Sequence, residues 1–402
     1  MQLINMKNII FLSEEYLYFS NTAGVNRMNL YAKSLLLNNE VNIYMIPFMS
    51  NCNEKNCKRI SPNFNCFVSE ENFTRQKGLK LVNQVFEYLN KVKSFSNNLK
   101  GEVVYYYYPA SGSLLDLCCV FYIKYYCKKN IYLEVNEVRR YATTPVNSFL
   151  KRFQKIFVTF LLDHTFYFYN GLICISENIA HFYRNKKSNI LVVPILSDAT
   201  KFVSGGENRG SKFRIRSPKV FLFAGSVAFE KENLEELLKG FALVLNERKD
   251  ILLRFYGSVT EDSMNKICAL TDMLNINNYV EYCGTYDNDQ VYDVLNEADA
   301  LILPRNNSKQ NYYGFSTKLA EYASSMIPII MTKTGVVSCF FQDEYNCLML
   351  HGYNANSFYL KFKHFLSLNK YKKKFISHKA YETALSFFEY KIYSVQINEF
   401  LK

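Results

Sequence analysis

The order of apolar runs and amphipathic stretches predicts an α/β protein built from two doubly wound, Rossmann-like parallel-sheet domains facing across a cleft. Three observations carry that prediction. Short apolar runs alternate with helical patterns along residues 8–193, the alternation breaks in a polar stretch at 197–217, and it restarts at Val220. Such alternation calls for parallel strands joined by crossover helices. A chain of 402 residues also exceeds what one hydrophobic core usually organises.

In the first half, strands are read at 8–12, 41–46, 103–107, 131–135, 172–175 and 190–193, with helices after Gly24 and near 77–92. The stretch 197–217, rich in Ser, Gly, Lys, Arg and Asn, reads as a linker. It separates an N-terminal domain, 1–196, from a second domain, 218–384. There, strands are expected at 220–224, 251–256, 280–283, 300–303 and 328–331, and helices at 233–247 and 261–274. Leu234, Leu237, Leu238, Phe241 and Leu245 fall on one helical face, the spacing of a helix packed on a sheet. Another helix should open at Ser316 and run through Lys318, Leu319 and Glu321. The apolar, aromatic segment 387–401 reads as one helix, and 385–402 is expected to pack back on the first domain.

Apolar residues make up 49% and charged residues 21%, a globular balance. The excess of 48 basic over 36 acidic residues, a net +12, favours polyanionic or phosphorylated partners or an anionic membrane surface. Tyr and Phe are abundant and Trp is absent, which reads as compositional drift and not as a stacking platform. Eleven scattered cysteines and no signal peptide ahead of Met6 point to a reducing cytoplasm. Cys52, Cys57 and Cys66 lack a fourth ligand at zinc spacing. No apolar run reaches the roughly 20 residues of a membrane span; the nearest, 156–162 and 165–176, are split by Asp163 and His164. Phe149, Phe153, Ile156, Phe157 and Phe160 form an apolar helical face flanked by Lys151, Arg152 and Lys155. That face reads as core, with an anionic bilayer surface as the alternative.

The chemistry is expected at strand ends. A helix opening straight after a strand presents unpaired backbone N–H groups and the positive end of its dipole to an anion. Ser316 and Thr317 can cap or donate, Lys318 adds charge, and Glu321 can accept from a diol. Gly225 ends the first strand of the second domain and Lys231 follows it, either as a second cation on a diphosphate or as a solvated loop charge. Small residues at Gly257 and Gly284 allow a base or ribose close to the backbone. Asp287-Asn288-Asp289 has a metal-like D-x-D spacing, but Asp287 with Gln290 reads better as a capping box opening a helix to Asn296. In the first half, 22–27 around Gly24 is the other anion position. Glu134, Asn136 and Glu137 can supply a carboxylate for binding or proton transfer, or pair with Arg139 and Arg140. The histidines, His164 and His181 among them, read as structural.

In order and spacing, Ala23-Gly24, 170–176 with Val193-Pro194 and Asp198, Ala224-Gly225-Ser226 with Lys231, 280–284, 298–305 and 318–322 resemble a retaining glycosyltransferase of the GT-B fold, in the large family four that includes many bacterial polysaccharide and lipopolysaccharide enzymes. The resemblance implies a metal-independent hexosyl or related transferase that needs no cofactor and takes a nucleotide-diphosphate sugar as co-substrate. It implies a glycan or lipid-linked glycan acceptor, in the synthesis of a cell-surface polysaccharide such as capsule. It also implies a cytoplasmic location with peripheral contact to an anionic membrane, and no nucleic-acid partner. Carried over, Lys231 contacts the diphosphate, Glu321 the ribose, and Ser316, Thr317 and Lys318 the phosphates. Gly24, Gly225, Ser226, Gly257, Arg305 and Tyr313 complete the donor side, and Glu137 joins Lys231 as a catalytic candidate. Tyr313 stands where the family usually has a Glu, and Ser226 where it usually has an Arg. A nucleotide-sugar epimerase of the same fold and an inactive binding or scaffold protein are the alternatives.

Overall fold

The computed structural model describes the chain apart from residues 1–5, 14–21, 49, 51, 53, 69–78, 110–114, 143–148 and 204–216. It divides into two compact units, Met1–Pro194 with Tyr390–Lys402, and Ile195–Glu389. The elements of the first unit are β1 (Lys7–Ser13), α1 (Ala23–Leu35), β2 (Val41–Pro47), β3 (Cys57–Ser61), β4 (Phe64–Phe67), α2 (Leu79–Asn97), β5 (Glu102–Tyr108), α3 (Leu115–Phe121), β6 (Asn130–Val135), α4 (Phe149–Thr165), β7 (Gly171–Cys174), α5 (Glu177–Tyr183) and β8 (Ile190–Val192). Its sheet runs β3-β4-β2-β1-β5-β6-β7-β8. Only β3 is antiparallel to its neighbour. β1 lies between β2 and β5 and is buried along almost its whole length, which is why IIFL appears in the sequence as an unbroken apolar run.

The second unit holds α6 (Ala199–Val203), β9 (Lys219–Ala224), α7 (Leu234–Leu245), β10 (Ile251–Tyr256), α8 (Glu261–Met273), β11 (Val280–Tyr282), α9 (Val291–Leu295), β12 (Ala300–Leu303), α10 (Lys309–Tyr313), α11 (Lys318–Ser324), β13 (Ile329–Thr332), β14 (Leu348–Leu350), α12 (Ala355–Ser367) and α13 (Lys370–Phe387). The all-parallel order is β11-β10-β9-β12-β13-β14. The chain therefore starts in the middle, winds one way through β11, and returns to wind the other way through β14. Leu237, Leu238, Phe241 and Val244 of α7 are fully buried against Phe221, Phe223 and Phe362. At about 1.5–3 kcal/mol for each large apolar side chain, this one face is a main source of the unit's stability.

Several expectations are corrected here. The start of the expected linker is ordered: Ser197 N donates to Phe388 O at 2.7 Å, and Ala199 N donates to the Glu389 carboxylate at 2.8 Å ahead of α6. These bonds tie 195–203 to the second unit, so the division falls after Pro194 and not after 196; residues 204–216 lie outside the described ones. The C-terminal segment is not one helix. α13 ends at Phe387, a 3-10 turn covers Tyr390–Tyr393, and α14 (Ser394–Phe400) follows. The chain rejoins the first unit at Tyr390. There Lys7 Nζ donates to Asn398 O at 2.7 Å, and Asn130 Nδ2 donates to Lys402 O at 2.8 Å.

Candidate functional site

In open parallel sheets, ligands bind outside the carboxyl ends of the strands where the strand order reverses. In the second unit that point lies between β9 and β12. Gly225 follows β9, Arg305 follows β12 after Pro304, and α11 descends beside them towards β13. Tyr322 of α11 clamps the end of β9, its hydroxyl accepting from Ala224 N at 2.8 Å and donating to Ala224 O at 3.1 Å. That clamp fixes where Lys318 and Glu321, on the preceding turn, must lie.

The centre of the cluster is Glu232, which nothing in the sequence singles out. Its carboxylate is 2% exposed and sits between two cations, 3.0 Å from Lys318 Nζ and 3.1 Å from Arg305 Nε. Burial works against its ionisation, but Arg305 and Lys318 outweigh that and hold its carboxyl below the usual range. Arg305 is anchored on its other nitrogens, donating to Asn311 Oδ1 at 2.9 Å and to Ser316 Oγ at 3.0 Å. Asn311, buried and equally unmarked in the sequence, donates in turn to Lys231 O at 3.1 Å and Asn306 O at 3.0 Å. It thereby ties the loop after β9 to the loop after β12. Lys231 itself is partly buried, and its positive charge acts on both Glu232 and Lys318.

Burial lowers Lys318 to about 8, with Glu232 opposing and Arg305 and Lys231 reinforcing the fall. Burial raises Glu321 to about 7, opposed by Lys318. The Glu321 carboxylate makes no hydrogen bond or ion pair with any described residue. A carboxylate held away from water without a partner is costly unless a ligand supplies donors.

Gly225, Gly257 and Gly284 differ in the room around them. A Cβ at 225, where φ is +135°, would lie 2.1 Å from Lys318 Cε, and one at 257, where φ is +125°, 2.2 Å from Gly225 O. The place of a Cβ at Gly225 is thus taken by a side chain and that at Gly257 by backbone. Of the three, Gly284 alone is open, with nothing within 4 Å of the place a Cβ would take. Ser226 is exposed and offers its carbonyl to Lys318 Nζ at 3.3 Å. α11 begins at Lys318 and not at Ser316: Thr317 is its N-cap in a helical conformation without a side-chain cap, and the Ser316 hydroxyl accepts from Arg305. Tyr313 closes the short α10, its ring 5.0 Å edge-on to Tyr312. Asp287 N donates to Gln290 Oε1 at 2.9 Å, so the capping contact forms, but it closes a turn and α9 starts only at Val291. Among the described residues, no group of three or more His, Cys, Asp or Glu is placed to hold a metal ion.

In the first unit the strand order reverses beside β1 and β5, and Gly24 packs there, a Cβ lying 2.5 Å from Tyr108 Oη. Thr22 caps α1 by accepting from Val25 N at 3.2 Å. Tyr108 Oη accepts from Asn136 Nδ2 at 2.9 Å. Glu137 lies exposed just beyond β6. Glu134 is not available to a ligand: it is buried, 2.6 Å from Arg27 Nε and 2.8 Å from Tyr106 Oη, while Arg27 also donates to Val193 O and Pro194 O. Arg139 and Arg140 pair instead with Asp116 and Asp163, each at 2.7 Å. The face of α4 read as core is exposed. Phe153, Ile156, Phe157 and Phe160 are 54–67% exposed, while the opposite side buries Leu162; the side chains of Phe149, Lys151, Arg152 and Lys155 lie outside the described residues.

Comparison with known proteins agrees with this architecture. Residues 206–381 match the family model described as Glycosyl transferases group 1. No curated protein matches the chain by sequence. Among solved structures, the chain is similar to sucrose-phosphate synthase from Thermosynechococcus elongatus, with 11% identity, 98% of each chain covered and a TM-score of 0.71. It is similar to trehalose 6-phosphate synthase from Burkholderia multivorans at 8% identity, 98% of each chain and 0.70. It is similar also to HepE from Anabaena, solved in complex with UDP-glucose, at 11% identity, 98% of each chain and 0.66. The fold is GT-B, as the sequence resemblance implies.

Proposed function

With residues 206–381 matching the group 1 glycosyl transferases in a chain of GT-B fold, we propose that the protein is a retaining glycosyltransferase that binds a nucleotide-diphosphate sugar at the reversal point of its second sheet. The observation that carries this reading is Glu321, a partly buried carboxylate without a hydrogen-bond or ion-pair partner among the described residues, one helical turn from a cluster of cations. Glu321 accepts from the ribose diol, and Lys318, Arg305 and Lys231 meet the diphosphate. Negative charge growing on the leaving phosphate is then stabilised by groups already fixed in place, so little reorganisation accompanies the transfer. Binding of UDP or UDP-sugars by structurally similar proteins supports a nucleotide-sugar donor and makes UDP the first probe. We take the acceptor to be a lipid-linked glycan of the cell surface, reached from the inner face of the membrane. The exposed apolar stripe on α4 supports that part of the reading, because such a stripe can rest in the boundary region of a bilayer.

A thermal-shift panel of UDP, GDP, ADP and CDP, followed by sugar nucleotides of the best base, tests the donor. Glu321→Ala and Lys318→Ala should each lower turnover by roughly tenfold to a thousandfold with the fold retained. Unchanged turnover in both removes the site assignment. Rearranged sugar in the absence of acceptor would assign an epimerase, and no shift with any nucleotide would favour the inactive binding protein that Tyr313 suggests.

A further inference from the structure

We propose that Glu232 is a positioning residue of the donor site: its carboxylate holds the Lys318 ammonium charged and seated over Gly225, where the donor's diphosphate meets it. This inference rests on the donor-site reading above and assigns a role to a residue that the reading leaves out.

Lys318 has a closed seat on three sides. Its Nζ lies 3.0 Å from Glu232 Oε1 and 3.3 Å from Ser226 O, and 4.0 Å from the centroid of the Phe223 ring. Its Cε crosses Gly225 so closely that no Cβ fits there. Glu232 Oε2 faces Arg305 Nε, whose other nitrogens are held by Asn311 and Ser316. One buried carboxylate therefore sets the spacing of two cations. Both cations keep 12% of their side-chain surface exposed while Glu232 keeps 2%, so an arriving anion meets the cations and not the carboxylate.

The charged groups that face Lys318 are Glu232, Arg305 and Lys231 from the loops and Glu321 from its own helix. Without the charge of Glu232, burial and two cations act on the amine against Glu321 alone. The neutral amine is then favoured near neutral pH, and the contact with phosphate loses its charge. Lys318 already stands as low as about 8 with Glu232 in place.

The test measures binding of inorganic pyrophosphate by calorimetry between about pH 6 and about pH 9, for wild type, Glu232→Gln, Glu232→Asp and Lys318→Arg. Pyrophosphate lacks the ribose that Glu321 would hold, and its own titration cancels in variant-to-wild-type ratios. Glu232→Gln keeps the shape and removes the charge. Its affinity should stay within about threefold of wild type at pH 6 and fall at least about tenfold below it at pH 8. A ratio that does not change with pH overturns the proposal. Arg does not titrate in this range, so the affinity of Lys318→Arg relative to wild type should climb above pH 8. Glu232→Asp, which keeps the charge, should follow the wild-type pH dependence within about threefold, and a loss at pH 8 like that expected of Glu232→Gln overturns the proposal even if Glu232→Gln fails to fold. If wild type binds neither pyrophosphate nor UDP, the donor-site reading fails and this inference with it; binding with pH-independent ratios removes only the role of Glu232.

Discussion

Glu321 is where function and stability pull against each other within one side chain. Its carboxyl is raised from an ordinary 4.5 to about 7 by burial, so between those values the folded protein keeps a proton that the unfolded chain has released. Stability from this group is therefore greatest at low pH and declines as pH rises from about 4.5 through about 7. Glu321→Gln removes the titration and keeps the size. The variant should match wild type in melting temperature near pH 5 and exceed it above pH 7, by an amount that corresponds to about 1–3 kcal/mol. Its affinity for the nucleotide should fall at the same time, since an amide accepts from a diol more weakly than a carboxylate does. Melting curves from pH 5 to pH 8 decide the matter: a variant whose curve runs parallel to that of wild type would show that Glu321 ionises freely. Glu232 could not be found in this way from sequence. In Glu230-Lys231-Glu232 only Lys231 stands out, as a cation for a diphosphate or a solvated loop charge, and only the fold brings Lys318, 86 positions later, onto Glu232.

At the scale of the element, what the sequence makes legible depends on how each element is buried. β9 and β12 are covered on both faces and read as continuous apolar runs, so their limits are found to within a residue. The hairpin of β3 and β4 sits at a sheet edge, where no residue of CKRIS is buried, and nothing in its pattern marks a strand. α4 shows the limit of periodicity, which finds an apolar face but does not say what the face touches. α7 and α12 show the reverse case, a contact decided by one atom. A Cβ at Gly240 would lie 2.5 Å from Phe358 Cβ and 2.6 Å from Ala355 O, and the second of these is backbone that cannot turn away. Gly240→Val should therefore force the two helices apart and destabilise the second unit by about 1–3 kcal/mol or more, although by propensity alone valine favours a helix over glycine by a few tenths. Urea denaturation measures this, and a valine variant as stable as wild type would mean that the helices slide freely.

At the scale of the whole molecule, an excess of 12 positive charges and an exposed apolar stripe act together on any anionic surface. The stripe alone is a weak anchor. No helix among the described residues is long and apolar enough to cross a membrane; the proposed contact is lateral, through Phe153, Ile156, Phe157 and Phe160. Asp163, the one acidic residue of α4, is buried and paired with Arg140, so the helix presents no carboxylate to repel lipid phosphates. Each basic side chain near an anionic leaflet adds about 1 kcal/mol, and this part is screened over about 10 Å at 0.1 M salt. The apolar part is not screened. Flotation with vesicles containing anionic lipid should therefore carry the protein upward at about 0.1 M salt and less of it at about 0.5 M, while neutral vesicles carry little. Phe153→Glu with Phe157→Glu should lower the floated fraction at least about tenfold without changing the melting temperature, because neither ring belongs to the core. If wild type stays at the bottom of the gradient at low salt with anionic vesicles, the stripe meets something other than a bilayer, and the lipid-linked acceptor loses its structural support while the donor site keeps its own.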